Sequence, residues 1–191
     1  MTDTAERPAR ALTADVRVPE RIELGDAHLR RFTLDDVPAL HEAIVASFAE
    51  LHLWMPWCTE PVESVDQRDF VERGIRNWET AEALNFAVVD AADALVGSIA
   101  LMDRIGPGGL EIGYWLRTDA TGHGLITRAA KALTELGLWL PGVARIEIHC
   151  DAANVRSAAV PRRLGFRLDR EQDGEITAPG ESGREQYWIT P

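Results

Sequence analysis

The chain has 191 residues, 46% hydrophobic and 27% charged, which suits one globular domain able to bury a core without disulfide or metal staples. A formal net charge of −11 argues against general nucleic-acid binding and fits either a solvated acidic surface or a cationic substrate such as an amine or a basic peptide; no run of about twenty apolar residues offers a membrane span. Cys58, Cys150 and the scattered histidines have no metal or redox spacing, so free thiols, no metal and a cytoplasmic location are expected.

Residues 1–20 are polar and lack an apolar signal core, which predicts a flexible tail ahead of a single domain over 21–191. Strand-like runs follow over 22–31, with Leu29 and Phe32 inward. Thr33 and Asp36 mark a helix start, and Val37, Leu40, Ile44, Val45 and Phe48 recur at helical spacing. An aromatic, proline-containing connection over 51–61 leads to a helix over 64–83, with Val65, Phe70, Val71, Ile75 and Trp78 as its apolar stripe. Strands are predicted over 84–89 and 94–102, around a turn at Ala91-Ala92-Asp93. Gly106-Pro107-Gly108-Gly109 is a turn, and the run over 110–116 alternates, with Leu110, Ile112, Tyr114 and Leu116 on one face. A very apolar helix over 124–140 ends at Pro141-Gly142. A strand over 143–150, a short helix over 154–164 closed by Gly165, and strands over 166–170 and 185–189 complete a mixed α/β order, an antiparallel meander feeding a β-α-β unit. Trp78, Trp115, Trp139 and Trp188 read as packing residues.

The segment Arg117-Thr118-Asp119-Ala120-Thr121-Gly122-His123-Gly124-Leu125-Ile126-Thr127 joins a strand to a helix. Two glycines one residue apart let the backbone turn tightly and expose its amides. The helix start that follows has unpaired N–H groups and a partial positive charge, which suits a phosphate or pyrophosphate. No Gly-Lys-Ser/Thr ends a P-loop here, and no third glycine completes a dinucleotide fingerprint. Alone, Gly-x-Gly before a helix is also ordinary turn chemistry.

The later segment Asn154-Val155-Arg156-Ser157-Ala158-Ala159-Val160-Pro161-Arg162-Arg163-Leu164-Gly165-Phe166 sharpens this. Together the two segments resemble the GCN5-related N-acetyltransferase (GNAT) superfamily, and within it the RimJ/RimL-like branch that acetylates ribosomal-protein N-termini. The resemblance runs from about Arg30 to the end and is strong from Glu111 to Phe166. It implies the GNAT acyl-CoA N-acyltransferase fold: a mostly antiparallel central sheet, splayed between the strands over 110–116 and 143–150, with flanking helices. It also implies an N-acetyltransferase with acetyl-CoA as co-substrate, and a homodimer is common in the family.

In that family the loop reads Arg/Gln-x-x-Gly-x-Gly/Ala. The matching positions are Thr121, Gly124 and Ile126, so a long polar side chain and a small residue are replaced at the first and last. The resemblance implies main-chain contacts to pantetheine near Leu116 and Arg117. It implies pyrophosphate contacts from Thr121, Gly122, His123, Gly124, Leu125, Ile126 and Thr127. Asn154 would face the cofactor from the other side, and is also placed to cap its helix.

Acetyl transfer requires a neutral amine, and an amine near its solution pKa is mostly protonated at neutral pH. Glu111, on the face opposite Ile112 and Tyr114, is the candidate base, since this branch commonly carries an acid there; a salt-bridged sheet residue is the alternative. Asn154 and Ser157 match the RimL-like pattern Asn-x-x-Ser, which makes Ser157 the candidate donor to the departing thiolate, with a serine bonded to its own helix backbone as the alternative; no tyrosine stands on its helix. Within Leu53-Trp54-Met55-Pro56-Trp57, Trp54 and Trp57 resemble the branch's substrate wall, with core packing as the alternative. The expected activity is direct acetyl transfer to a primary amine of a protein or peptide N-terminus. A small-amine acetyltransferase (antibiotic or polyamine) and a non-catalytic CoA-binding module are the rivals.

Overall fold

Successive side chains on a strand point to opposite faces, and the central strands of this protein bury both. The computed structural model describes residues 12–13, 17–60, 62 and 64–191, with no side chains for 64 and 65. Residues 1–11 and 14–16 of the expected tail, Pro61 of the expected connection and the side chain of Val65 lie outside the described residues.

The strands β1 (Arg21–Glu23), β2 (His28–Arg31), β3 (Ala83–Val89), β4 (Leu95–Met102) and β5 (Gly109–Leu116) form an antiparallel meander. A helix, α4 (Leu125–Trp139), then crosses over to β6 (Arg145–Asp151), which pairs parallel with β5. β8 (Arg184–Ile189) lies antiparallel beside β6, and β7 (Arg167–Asp173) forms the outer edge. The sheet order is β1-β2-β3-β4-β5-β6-β8-β7.

One face carries Leu110, Ile112, Ile146 and Ile148, packed with Leu125, Ala129, Ala130 and Leu133 of α4 and with Ala158 and Val160 of α5 (Val155–Arg163). The other carries Ala87, Val89, Leu95 and Trp115. These pack with Val37, Leu40, Ala43 and Ile44 of α1 (Val37–Ala46), Leu51 of α2 (Phe48–Trp54) and Val71 of α3 (Ser64–Thr80). Truncating a fully buried leucine such as Leu40 or Leu133 to alanine is worth about 2–5 kcal/mol of stability.

The registered pairing of β5 with β6 stops at Glu111 and Glu147. Residues 112–116 and 148–151 have no partner across that gap. This is the splay that the family resemblance implies.

Several expectations are corrected. The first helix ends at Ala46, because buried Ser47 breaks it and accepts a hydrogen bond from the Thr118 amide at 3.0 Å. The chain resumes as α2, so Leu51–Trp54 is helical rather than connection. Pro56 then holds Met55 extended, at φ −119° and ψ 108°, and ends the helix. Val45 is 51% exposed, since it lies about 100° around the helix from Ile44. Trp139 is 72% exposed at the end of α4 and is not a packing residue. Leu12, within the expected tail, is buried, and its amide donates to Asp103 Oδ2 at 2.8 Å.

Candidate active site

The divergence of β5 and β6 opens a cavity of about 890 Å³. Tyr114 and Leu116 line it from one face of β5 and Trp115 from the other, so it passes through the sheet. The glycine loop and the start of α4 wall one side, Asn154, Ser157 and Arg163 the second, and Glu50, Leu51, Trp54 and Met55 of the α2 segment the third.

The loop owes its shape to two glycines. Gly122 and Gly124 have φ of 86° and 73°, and Gly124 is the N-cap of α4. A Cβ on either would meet no neighbouring atom, so the dihedral, not crowding, calls for glycine. The Arg128 amide donates to the Gly124 carbonyl at 3.0 Å, closing the first helical turn. The amides of Leu125, Ile126 and Thr127 therefore have no acceptor within their own helix. Thr121 Oγ1 donates to the Thr118 carbonyl at 2.7 Å, and Ser47 holds Thr118 in turn. The positive helix end, with Arg128 and Arg163 on the cavity wall, suits this side to a polyanion.

Ser157 stands across from the loop. Its amide donates to Asn154 Oδ1 at 3.1 Å, so Asn154 caps α5 while lining the cavity. The Tyr114 hydroxyl donates to the Ser157 carbonyl at 3.0 Å and lies 3.2 Å from Ser157 Oγ. Burial pushes the Tyr114 phenol well above its ordinary value, and it stays a neutral donor. No tyrosine stands on α5, and the tyrosine beside Ser157 is Tyr114 of β5. The alternation of 110–116 had put Tyr114 on an inward face; its reach to Ser157 was invisible until the strands parted. Burial also pushes the Cys150 thiol up to about 11, outweighing its hydrogen bond with Ser157.

Of the expected site residues, the cavity gathers Trp54, Leu116, Thr121, Gly122, Gly124, Leu125, Ile126, Thr127, Asn154 and Ser157. Four others lie elsewhere. Arg117 gives its amide to the Val96 carbonyl at 2.7 Å and its guanidinium to Asp119, so the free stretch of β5 main chain stops before it. His123 turns its Nδ1 to the Thr121 carbonyl at 2.9 Å, away from the cavity. Trp57 is half exposed and packs against Trp115, 6.2 Å between rings, outside the cavity wall.

Glu111, the candidate base, is the fourth. It is buried, but Arg104 takes both oxygens, Nε to Oε2 at 2.7 Å and Nη2 to Oε1 at 2.6 Å. It is not part of the cavity wall. His149 Nδ1 lies 3.6 Å from Glu111 Oε2, and its Nε2 lies 2.7 Å from Glu147 Oε2. Burial works to raise Glu147, but His149 and the Arg145 Nε–H, 2.6 Å from its Oε1, outweigh it and hold the carboxyl below its ordinary value. Glu111 therefore belongs to a network of charges with Arg104, His149 and Glu147.

The family model described as an acetyltransferase (GNAT) domain matches residues 27–167. The chain belongs to the GNAT acetyltransferases. The ribosomal-protein-serine acetyltransferase of Escherichia coli is 28% identical to this acetyltransferase over 160 residues, 83% of this chain and 86% of that one. The solved RimL ribosomal L7/L12 α-N-protein acetyltransferase, in complex with coenzyme A, matches at a TM-score of 0.82 and 23% identity, covering 90% of this chain and 97% of that one. The microcin C7 self-immunity acetyltransferase MccE, in complex with acetyl-CoA and AMP, matches at 0.82 and 22%, covering 91% and 97%. At these identities the two structures speak for the fold of this acetyltransferase. No helix among its described residues is long and apolar enough to cross a membrane.

Proposed function

We propose that this GNAT acetyltransferase moves the acetyl group of acetyl-CoA directly onto the primary amine of a peptide N-terminus. The observation that carries the reading is the shared cavity: the glycine loop at the start of α4 and the Ser157–Tyr114 pair open onto the same space. The names of the Escherichia coli ribosomal-protein-serine acetyltransferase and of RimL favour a protein N-terminus as the acceptor.

The residues present fit the coenzyme. The amides of Gly122 to Thr127 and the side chains of Arg128 and Arg163 suit a diphosphate. The β5 main chain from Ile112 to Leu116 has no strand partner on its β6 side and can pair with the amides of the pantetheine arm. Acetyl-CoA supplies the activated acyl group. Ser157 Oγ donates to the departing thiolate, and the Tyr114 hydroxyl, which donates to the Ser157 carbonyl, holds the backbone of that residue in place. The closed ion pair of Glu111 favours removal of the amine's proton through water.

Thiol release from acetyl-CoA in the presence of short serine-initiated peptides tests the reading. Turnover on the peptides with retention of the N-acetylated product is expected. Turnover on polyamines alone would move the acceptor to small amines. Coenzyme binding with no transfer to any amine would refute the enzyme.

A further inference from the structure

The α2 side of the cavity is apolar except at one point. Leu51, Trp54, Met55 and Trp115 make its wall, and Glu50 is the single carboxylate among the described lining residues of the whole cavity. Glu50 and Trp54 stand four residues apart on α2 and so share a side of that helix. The Glu50 Oε2 meets Arg156 Nη1, from α5, at 3.2 Å. The two side chains are 46% and 73% exposed, and an ion pair that open to water adds little to folding. Its partners are therefore free to exchange at small cost. Arg156, Glu50 and Ser157 all line the cavity, so the exchange would take place in the space that the candidate thiolate site opens onto.

An amine reaches the enzyme as an ammonium and must shed water to pass along an apolar wall. A carboxylate at the mouth offsets that loss. Resting on the N-acetyltransferase reading, we propose that Glu50 is the acceptor-recognition residue. It gives up Arg156 for the incoming ammonium, and Trp54 and Met55 then favour a small or apolar first side chain. The acceptor class is a primary ammonium on an otherwise uncharged leading residue.

Calorimetric titration of a short serine-initiated peptide into the CoA-saturated protein tests this, with the N-acetylated form of the same peptide as the uncharged control. Glu50→Gln is expected to weaken the free-amine peptide about tenfold, the loss of one charge-assisted hydrogen bond. Arg156→Gln should bind it at least as tightly as the parent protein. The acetylated peptide and CoA itself should bind Glu50→Gln and the parent alike. Equal binding of the free-amine peptide by the two proteins, or none by the parent, overturns the proposal. Glu50-dependent binding without acetyl transfer would refute the catalytic reading and leave this one standing. Transfer with an unchanged peptide KM in Glu50→Gln would do the reverse.

Discussion

The two ends of the β5–β6 pair behave in opposite ways. At the paired end, Glu111 and Glu147 are buried side by side in register, and each is held by an arginine, with His149 between them. At the splayed end, residues 112–116 and 148–151 lose each other, and the gap is bordered by helix-start amides and a serine–tyrosine pair. The contrast separates two kinds of polar group. Where the protein supplies every partner, the charges hold two strands together. Where it withholds partners, a ligand can supply them. A buried acid on a central strand is therefore not by itself a catalytic base; its partners decide.

Substitutions at the splayed end should alter turnover or coenzyme binding, and those at the paired end should alter stability. Ser157→Ala is expected to lower kcat about a hundredfold with CoA affinity unchanged, the scale of a lost proton donor; an unaltered kcat removes Ser157 from the chemistry. Gly124→Val forces a β-branched residue to φ of 73°, and CoA binding should weaken by about 2 kcal/mol, read by calorimetry. Affinity equal to the parent's would show that the loop does not hold the coenzyme. Glu147→Gln should cost about 1–2 kcal/mol of unfolding free energy near neutral pH and leave KM for CoA alone. Its carboxyl is depressed in the fold, so its contribution is complete above the unfolded value of about 4.3 and is lost as pH falls through the folded one. Thermal denaturation from about pH 7 down to about pH 3 should therefore show the difference between variant and parent shrinking with acid; a gap that widens would reverse the assignment. Tyr114→Phe, the smallest change, should lower kcat several-fold, about 1 kcal/mol, by loosening Ser157. Glu111→Gln sharpens the contrast directly: stability should drop while the pH dependence of kcat/KM keeps its shape.

Much of the fold was legible because it rests on periodicity. The alternation of 110–116 put Leu110 and Ile112 in the core, and the apolar helix over 124–140 appears as α4 nearly whole. The loop was legible because glycine is needed where φ is positive, and Asn154 because a cap side chain announces a helix start. What failed was long-range. Pairing of Glu111 with Arg104 depends on the turn that folds Arg104 back along β5, and the Tyr114–Ser157 contact joins residues 43 apart. Ser47 sits within the helical spacing of 37–48, and its role, holding Thr118 from 71 residues away, leaves no local mark. Glu50 and Arg156 carried no local signal, since a charged helix position is usually only solvated.

On the proposed function, the gap between β5 and β6 holds coenzyme A with its diphosphate on the glycine loop. A crystal structure of the protein with CoA tests it most directly. Phosphate oxygens are expected within hydrogen-bond distance of the Gly122–Thr127 amides, with the thiol beside Ser157 Oγ. Coenzyme bound away from that loop, or a thiol out of reach of Ser157, would contradict it.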